Sequence, residues 1–97
     1  MKLFNFGKTQ PNMKQAIEGL ADYIPEFYKT HKQFTNYIEF LNNREWELAV
    51  DSLIELAYET GYSFSQDFWL GLINCFEKMG LIDKANYYRL NQTKQIL

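Results

Sequence analysis

The sequence predicts an all-α fold, a compact antiparallel bundle of four to five helices in a single domain spanning residues 1–97. Three observations lead to this prediction. Apolar residues recur three, four or seven positions apart along most of the chain, which is the spacing of one helix face. No stretch longer than a few residues alternates between apolar and polar side chains, as a half-buried strand would. The links between the periodic segments are short, so consecutive helices are expected to pack as antiparallel neighbours.

The size and composition of the chain are consistent with one helical core. Its 97 residues fit one domain, and 46% of them are hydrophobic, which is enough to build an apolar core. Aromatic residues make up 18%, more than a routine helical bundle uses, so some of them are expected at the surface. The two prolines and five glycines argue against disorder and against a turn-rich β-sandwich.

The first part of the chain is predicted to form a leader and two helices. Residues 1–11 are expected to dock onto the domain or to fray, and Asn12 is a candidate N-cap. Pro25 ends or kinks the first helix, and it can equally start the second, which is predicted over residues 26–41. The predicted apolar positions are Ala16, Ile17, Leu20, Ala21 and Ile24 in the first helix and Phe27, Phe34, Tyr37, Ile38 and Leu41 in the second.

The third predicted helix has the clearest pattern, a single apolar stripe with a period of about 3.6 residues. The residues of this stripe are Trp46, Ala49, Val50, Leu53, Leu56 and Ala57. Asn43 precedes the stripe and is a candidate N-cap. Gly61 follows it, at the place where a left-handed residue commonly ends a helix.

Two further helices are predicted in the last third of the chain. Ser63 and Ser65 are both candidate N-caps of the fourth helix, and Gln66 would complete a capping box with Ser63. Gly80 closes the fourth helix, and the fifth covers roughly residues 82–94. The residues expected to face inward are Phe68, Trp69, Leu72, Ile73, Phe76 and Met79 in the fourth helix and Ala85, Tyr88 and Leu90 in the fifth.

The sequence carries no set of residues that is typical of an enzyme, a metal site or a membrane protein. With His31 as the single histidine and Cys75 as the single cysteine, no catalytic triad or dyad can be assembled convincingly. We expect His31 at the surface and Cys75, which lies in an apolar stretch, as a buried thiol. No metal-ligand spacing, Gly-rich phosphate loop or apolar run of roughly 20 residues is present. These observations predict a cytoplasmic protein that is not an enzyme, binds no cofactor or metal and does not associate with a membrane.

Negative charge is concentrated in the third predicted helix. The formal net charge of the chain is −2, which argues against nucleic acid as a partner. Residues 43–71, however, contain one arginine and six acidic residues, a net charge of −5. Four of these acids recur every four positions, so they form one slanted ridge that turns about 40° per step and is expected to face solvent. The members of this acidic ridge are Glu47, Asp51, Glu55 and Glu59.

The acidic ridge is unfavourable for an isolated helix and has two possible explanations. Each like-charged pair four residues apart costs roughly 0.2–0.5 kcal/mol, and Glu55 and Glu59 also lie near the negative end of the helix dipole. Either the acids pair with Lys or Arg from neighbouring helices, or they form a docking surface for a basic partner. Tyr58 and Tyr62 lie beside the C-terminal end of the ridge and fit either an interface hot spot or the edge of the core.

Part of the sequence resembles small all-helical immunity proteins of bacteria, which accompany polymorphic toxins in contact-dependent growth inhibition and Maf-type systems. The resemblance begins in residues 43–53, NREWELAVDSL. It continues in residues 65–69 (SQDFW), in residues 79–81 (MGL) and in a final helix that starts with DKA at residue 83. It covers about residues 40–90 of the chain.

This resemblance implies a function and a set of binding residues. Immunity proteins of this kind bind the C-terminal toxin domain of a sibling cell and block it, and many of those toxins are nucleases with basic clefts. An acidic helix would then occupy the place of the phosphate backbone. The predicted partner-binding residues are Glu45, Glu47, Asp51, Glu55, Tyr58, Glu59, Tyr62 and Asp67.

The alternative prediction is a helical-repeat adaptor of the tetratricopeptide type that binds a protein or peptide. Ala49 and Ala85 are 36 residues apart, close to the tetratricopeptide period of about 34. The middle small-residue positions do not fit this repeat, and repeat arrays usually need at least three units. An immunity protein is expected to bind one toxin tightly with a salt-sensitive on-rate, whereas an adaptor would bind short peptides weakly in a groove.

Overall fold

The computed structural model describes the backbone of residues 13–96 and the side chains of residues 13–91. The predicted leader and the candidate cap Asn12 lie outside the described residues. Within them the chain is an all-α bundle of five helices without a strand. The elements in chain order are α1 (residues 13–19), two 3-10 helices (Leu20–Tyr23 and Glu26–Thr30), α2 (Lys32–Asn42), α3 (Trp46–Thr60), α4 (Gln66–Lys78) and α5 (Ile82–Ile96).

The second predicted helix is not continuous, because an extended residue, His31, interrupts it. This residue has an extended backbone (φ −69°, ψ 146°), and its Nδ1 atom accepts a hydrogen bond from the backbone N–H of Gln33 at 3.0 Å. His31 is therefore the N-cap of α2, and a 3-10 helix precedes it. A 3-10 helix has about three residues per turn, so the apolar spacing of an α-helix does not apply there. Phe27, predicted to face inward, is 68% exposed as a result.

The helix ends confirm one predicted cap and correct two others. Gly61 ends α3 in the left-handed conformation (φ 68°), as predicted. The N-cap of α4 is Ser65, whose hydroxyl accepts a backbone hydrogen bond at 3.2 Å, so Ser63 does not cap the helix. Asn43 lies at the end of α2, and Glu45 holds the N-cap position of α3 without a side-chain hydrogen bond.

The core is built from the predicted apolar faces of the helices. Most of the residues predicted to face inward are buried: Ile17, Leu20, Ile24, Phe34, Tyr37, Leu41, Ala49, Val50, Leu53, Leu56, Ala57, Phe68, Leu72, Ile73, Phe76 and Ala85. Ile38 and Leu90 are exposed, contrary to the prediction. Cys75 is buried, and burial raises the pKa of its thiol to about 11. The buried Tyr37 hydroxyl donates to the Ile17 carbonyl at 2.6 Å and so joins α2 to α1.

The described helices form two hairpins that repeat after 36 residues. Helix α2 packs on α3 and α4 packs on α5, and the first residues of α3 (Trp46) and α5 (Ile82) differ by that offset. In the first turn, the Glu45 N–H donates to the Phe40 carbonyl at 2.9 Å. In the second turn, the Leu81 N–H donates to the Phe76 carbonyl at the same distance, 2.9 Å. The two turns therefore have the same hydrogen-bonded geometry.

Backbone conformation and packing follow the same 36-residue offset. Arg44 in the first turn has φ 60°, and Gly80 at the equivalent place in the second has φ 81°. The predicted pair Ala49 and Ala85 lies at equivalent places in α3 and α5, and both alanines are 0% exposed. Small side chains there let the second helix of each hairpin approach its neighbour closely.

Candidate protein-binding site

The acidic ridge lies along the outer side of α3, and its two ends face different helices. Four-residue steps that each turn about 40° add up to about 120° between Glu47 and Glu59. As a result, the N-terminal end of the ridge reaches a side chain of α5, and the C-terminal end reaches side chains at the start of α2. The regular spacing in the sequence therefore does not produce one uniform surface.

At the N-terminal end, Glu47 and Asp51 share one cation from α5. The Nζ atom of Lys84 lies 2.7 Å from a Glu47 carboxylate oxygen and 2.8 Å from one of Asp51. It also lies 5.0 Å from the ring centroid of Phe76. Partial desolvation lowers the pKa of Lys84, but the hydrogen bonds to Asp51 and Glu47 outweigh this and raise it overall. These two acids are thus paired inside the fold.

At the C-terminal end of the ridge, ion pairs neutralise less of the negative charge of the acids. A Glu59 carboxylate oxygen accepts a hydrogen bond from Gln33 Nε2 at 2.9 Å, and the other lies 3.7 Å from His31 Nε2. Glu55 is exposed and has no ion pair or hydrogen bond from its side chain among residues 13–91. Four carboxylates of the ridge against the one ammonium of Lys84 leave a net charge of −3 with His31 neutral. The negative field is therefore strongest around Glu55 and Glu59.

The other two predicted acids, Glu45 and Asp67, lie apart from the ridge. Glu45 belongs to the turn before α3, where its backbone N–H donates to the Phe40 carbonyl. Asp67 is exposed in the first turn of α4, where a carboxylate is favoured by the positive end of the helix dipole. Within the described part of the chain, neither acid shares a hydrogen-bond or ion-pair partner with the ridge.

Tyr58 and Tyr62 line a pocket of about 310 Å³ where α3 ends and α4 begins. The residues that line it are Ala57, Tyr58, Gly61, Tyr62, Ser63, Phe64 and Trp69. Tyr58 is 60% exposed and Tyr62 is 40% exposed, so both rings are accessible from solvent. Glu55 precedes Tyr58 by one turn of α3, a spacing that makes the two side chains neighbours on the helix surface.

A chain of ring contacts holds the walls of the pocket. Tyr62 meets Phe64 edge-on at 4.8 Å between ring centroids, and Phe64 stacks on Phe68 at 4.7 Å. Phe68 contacts Trp69 at 5.1 Å, and Trp69 stacks on Tyr88 of α5 at 6.1 Å. The sequence pattern placed Trp69 in the core and missed its role in this pocket. The density of aromatic residues around the link between α3 and α4 is the signal that could have indicated it.

The chemistry available at this surface is recognition by charge and aromatic contact. Among the described residues, no group of three His, Cys, Asp or Glu side chains is arranged to hold a metal ion. In the same part of the chain, every helix is too short or too polar to cross a membrane. Comparisons with protein-family models, with curated proteins and with solved structures found no match for this chain.

Proposed function

We propose that this protein is a bacterial immunity protein that binds the C-terminal domain of a cognate toxin in the cytoplasm and neutralises it. The observation that carries the proposal is the exposed C-terminal part of α3, where Glu55 lies one helical turn before Tyr58, a wall residue of the pocket, and Glu59 faces the start of α2. Carboxylates steer a basic partner and set its orientation, and partly exposed tyrosines are common binding hot spots. The resemblance of residues 43–53 to the immunity family agrees with this proposal.

The ion pairs within the fold indicate which acids of the ridge are expected to contact the partner most strongly. Glu47 and Asp51 already hold Lys84, so they present less net charge to a partner than Glu55 and Glu59 do. A nuclease toxin has a basic cleft because it binds phosphate groups, and carboxylates at the C-terminal end of the ridge would compete for the same cations. The proposed mechanism is therefore occlusion of a basic surface, and it requires no catalytic residue, cofactor or metal ion.

The experiment that tests this proposal reverses charge at the two acids of the ridge that have no lysine or arginine partner among the described residues. The variant is Glu55→Lys with Glu59→Lys, and its matched control is Glu18→Lys with Glu39→Lys, two exposed acids on other helices. Thermal melting checks that both variants fold. Protection is then measured in cells that express the toxin domain encoded beside this protein, and the association rate is measured at several salt concentrations.

We expect the Glu55/Glu59 variant to fold, to lose protection and to associate with the toxin domain more slowly than the control. We expect the association rate of the unmodified protein to fall steeply with salt, because exposed charges are screened over about 8–10 Å at physiological ionic strength. A Glu55/Glu59 variant that folds and protects as well as the control would contradict the proposal.

A second candidate function is favoured by the repeated hairpins. Two helical hairpins with the same turn and a 36-residue offset are the building plan of a tetratricopeptide-like adaptor, which binds short peptides. Binding to fragments of the toxin domain separates the two functions. An adaptor would bind a short fragment about as well as the folded domain, whereas an immunity protein would require the folded domain.

A further inference from the structure

We propose that the pocket at the C-terminal end of α3 binds the guanidinium group of an arginine side chain of the protein partner. This inference rests on the proposed function, since the arginine belongs to the bound protein. It names the chemical group that the pocket recognises, which the acidic ridge alone does not specify. Three features lead to it: the C-terminal end of the helix, the aromatic walls of the pocket and the carboxylate of Glu55, one helical turn before Tyr58.

The first feature is the negative end of α3. The last carbonyl groups of a helix lack partners within the helix and carry its negative partial charge. The Ala57 carbonyl accepts the Gly61 N–H at 3.0 Å. The carbonyls of Tyr58 and Glu59 receive no turn or loop hydrogen bond from the backbone of the described residues. Backbone acceptor groups are therefore concentrated at the C-terminal end of α3, where Ala57 and Tyr58 line the pocket.

The second feature is the set of aromatic walls. Tyr58, Tyr62 and Trp69 line the pocket, and the first two rings are open to solvent. The faces of such rings attract cations, and a planar guanidinium group stacks on them better than an ammonium group does. Glu55 lies one helical turn before Tyr58 and can accept hydrogen bonds from a guanidinium group stacked on that ring.

A cation bound by carboxylates and an aromatic ring is already present elsewhere in the fold. Lys84 contacts Glu47, Asp51 and the ring of Phe76 in this combination. The lining of the α3 pocket supplies aromatic rings, and Glu55 lies one helical turn before the lining residue Tyr58, yet the lining includes no lysine or arginine. The charge complementarity therefore points to a cation supplied by another molecule.

The size of the pocket favours a single side chain. Its volume of about 310 Å³ is at the lower limit of the roughly 300–1,000 Å³ that small-molecule sites occupy. The lining residues Tyr58 and Tyr62 are both exposed, so a side chain of a docked protein surface can reach their rings. An arginine anchored here would place the partner backbone next to the C-terminal end of the acidic ridge.

The test uses two small probes, N-acetyl-arginine methylamide and its uncharged isostere N-acetyl-citrulline methylamide. Binding is followed by NMR through the indole N–H signal of Trp69, and the indole signal of Trp46, at the other end of α3, is the internal control. We expect the arginine probe to shift the Trp69 signal saturably and the citrulline probe to leave it unchanged. An equal response to both probes, or none to arginine, would overturn the inference.

Variants locate the binding to the pocket walls. We expect Tyr62→Ala and Tyr58→Ala each to weaken arginine binding about fivefold, the effect of losing one partly exposed cation–π contact. Tyr62→Phe keeps the ring and is expected to keep most of the affinity. Tyr87→Ala removes an equally exposed tyrosine that lies outside the pocket and is expected to change nothing. Equal affinities for the Tyr58, Tyr62 and Tyr87 variants would also overturn the inference.

The probe titration does not depend on the toxin domain, so the two proposals can fail separately. If the arginine probe does not bind while the toxin domain binds and is neutralised, the pocket inference fails and the proposed function stands. If the probe binds at Trp69 while the toxin domain does not bind, the pocket inference stands and the proposed function fails.

Discussion

Helices α3 and α5 follow the same turn 36 residues apart, yet their side chains have different surroundings. Seven of the 15 positions of α3 are buried: Ala49, Val50, Ser52, Leu53, Ile54, Leu56 and Ala57. In the part of α5 whose side chains are described, Ala85 alone is buried. The position of buried Ile54 corresponds to that of Leu90, which is 63% exposed. Local sequence determines the turn, whereas neighbouring helices determine burial.

The two helices also differ in charge, and ion pairs connect them. Helix α3 has four acids and no basic residue, whereas α5 contributes Lys84 to Glu47 and Asp51 and pairs Arg89 with Glu77 of α4. Lys84 of α5 therefore neutralises part of the negative charge of the first hairpin, whereas Arg89 pairs within the second hairpin. Of the four ridge acids, Glu55 and Glu59 at the C-terminal end have no lysine or arginine partner among the described residues, and the proposed function assigns the partner contact to them.

The difference in burial predicts the largest effect in the protein. Ile54→Ala removes a core side chain, and we expect it to lower the free energy of unfolding by about 2–5 kcal/mol. Leu90→Ala at the equivalent position of α5 is the matched control, with an expected change within about 0.5 kcal/mol because the side chain is exposed. Urea denaturation measures both. Equal losses of unfolding free energy would show that the Leu90 side chain is buried in solution. They would contradict the difference in burial between α3 and α5.

The shared turn predicts a smaller effect of opposite sign in the two hairpins. Gly80→Arg places a Cβ atom on a residue with φ 81°, and we expect it to lower the free energy of unfolding by about 1 kcal/mol. Arg44→Gly relieves the same strain at φ 60° and is expected to raise it by up to about 1 kcal/mol. Thermal and urea unfolding of the two variants measure both changes. Changes of the same sign would contradict the equivalence of the turns.

The pairing of Lys84 with Glu47 and Asp51 predicts the smallest change in the free energy of unfolding, and this change is expected to depend on pH. We expect Lys84→Met to lower the free energy of unfolding by about 0.5–1 kcal/mol, a small loss because solvent screens these partly exposed groups. Lys32→Met, which removes an exposed charge from α2, is the control. Because the folded pKa of Lys84 is raised above 10.5, its contribution is complete below that pH and is lost as pH rises through the folded value.

Urea denaturation of the protein and the Lys84→Met variant at neutral pH and above pH 10.5 measures this contribution. The difference between the two proteins is expected to shrink at the higher pH. A difference that grows there would contradict the assignment of Lys84 as the charged partner of Glu47 and Asp51.

Sequence reasoning predicted the fold class, the helix segments and most of the core, because the buried residues of each helix recur at a regular spacing in the sequence. It predicted the left-handed Gly61, since glycine adopts positive φ at no steric cost. It did not predict the break at His31 or the choice of Ser65 over Ser63 as the cap. Both depend on small differences between competing local hydrogen bonds.

The candidate site was predicted only in part, for a different reason. The spacing of the acidic ridge follows from the sequence, because four-residue steps turn little around a helix. The pairing of Glu47 and Asp51 with Lys84 joins residues more than 30 positions apart, so it depends on how α5 packs beside α3. Likewise, Trp69 reaches the pocket of Tyr58 and Tyr62 only when α4 folds back after Gly61. A helix pattern determines which side chains share a face, but tertiary packing alone determines what that face meets.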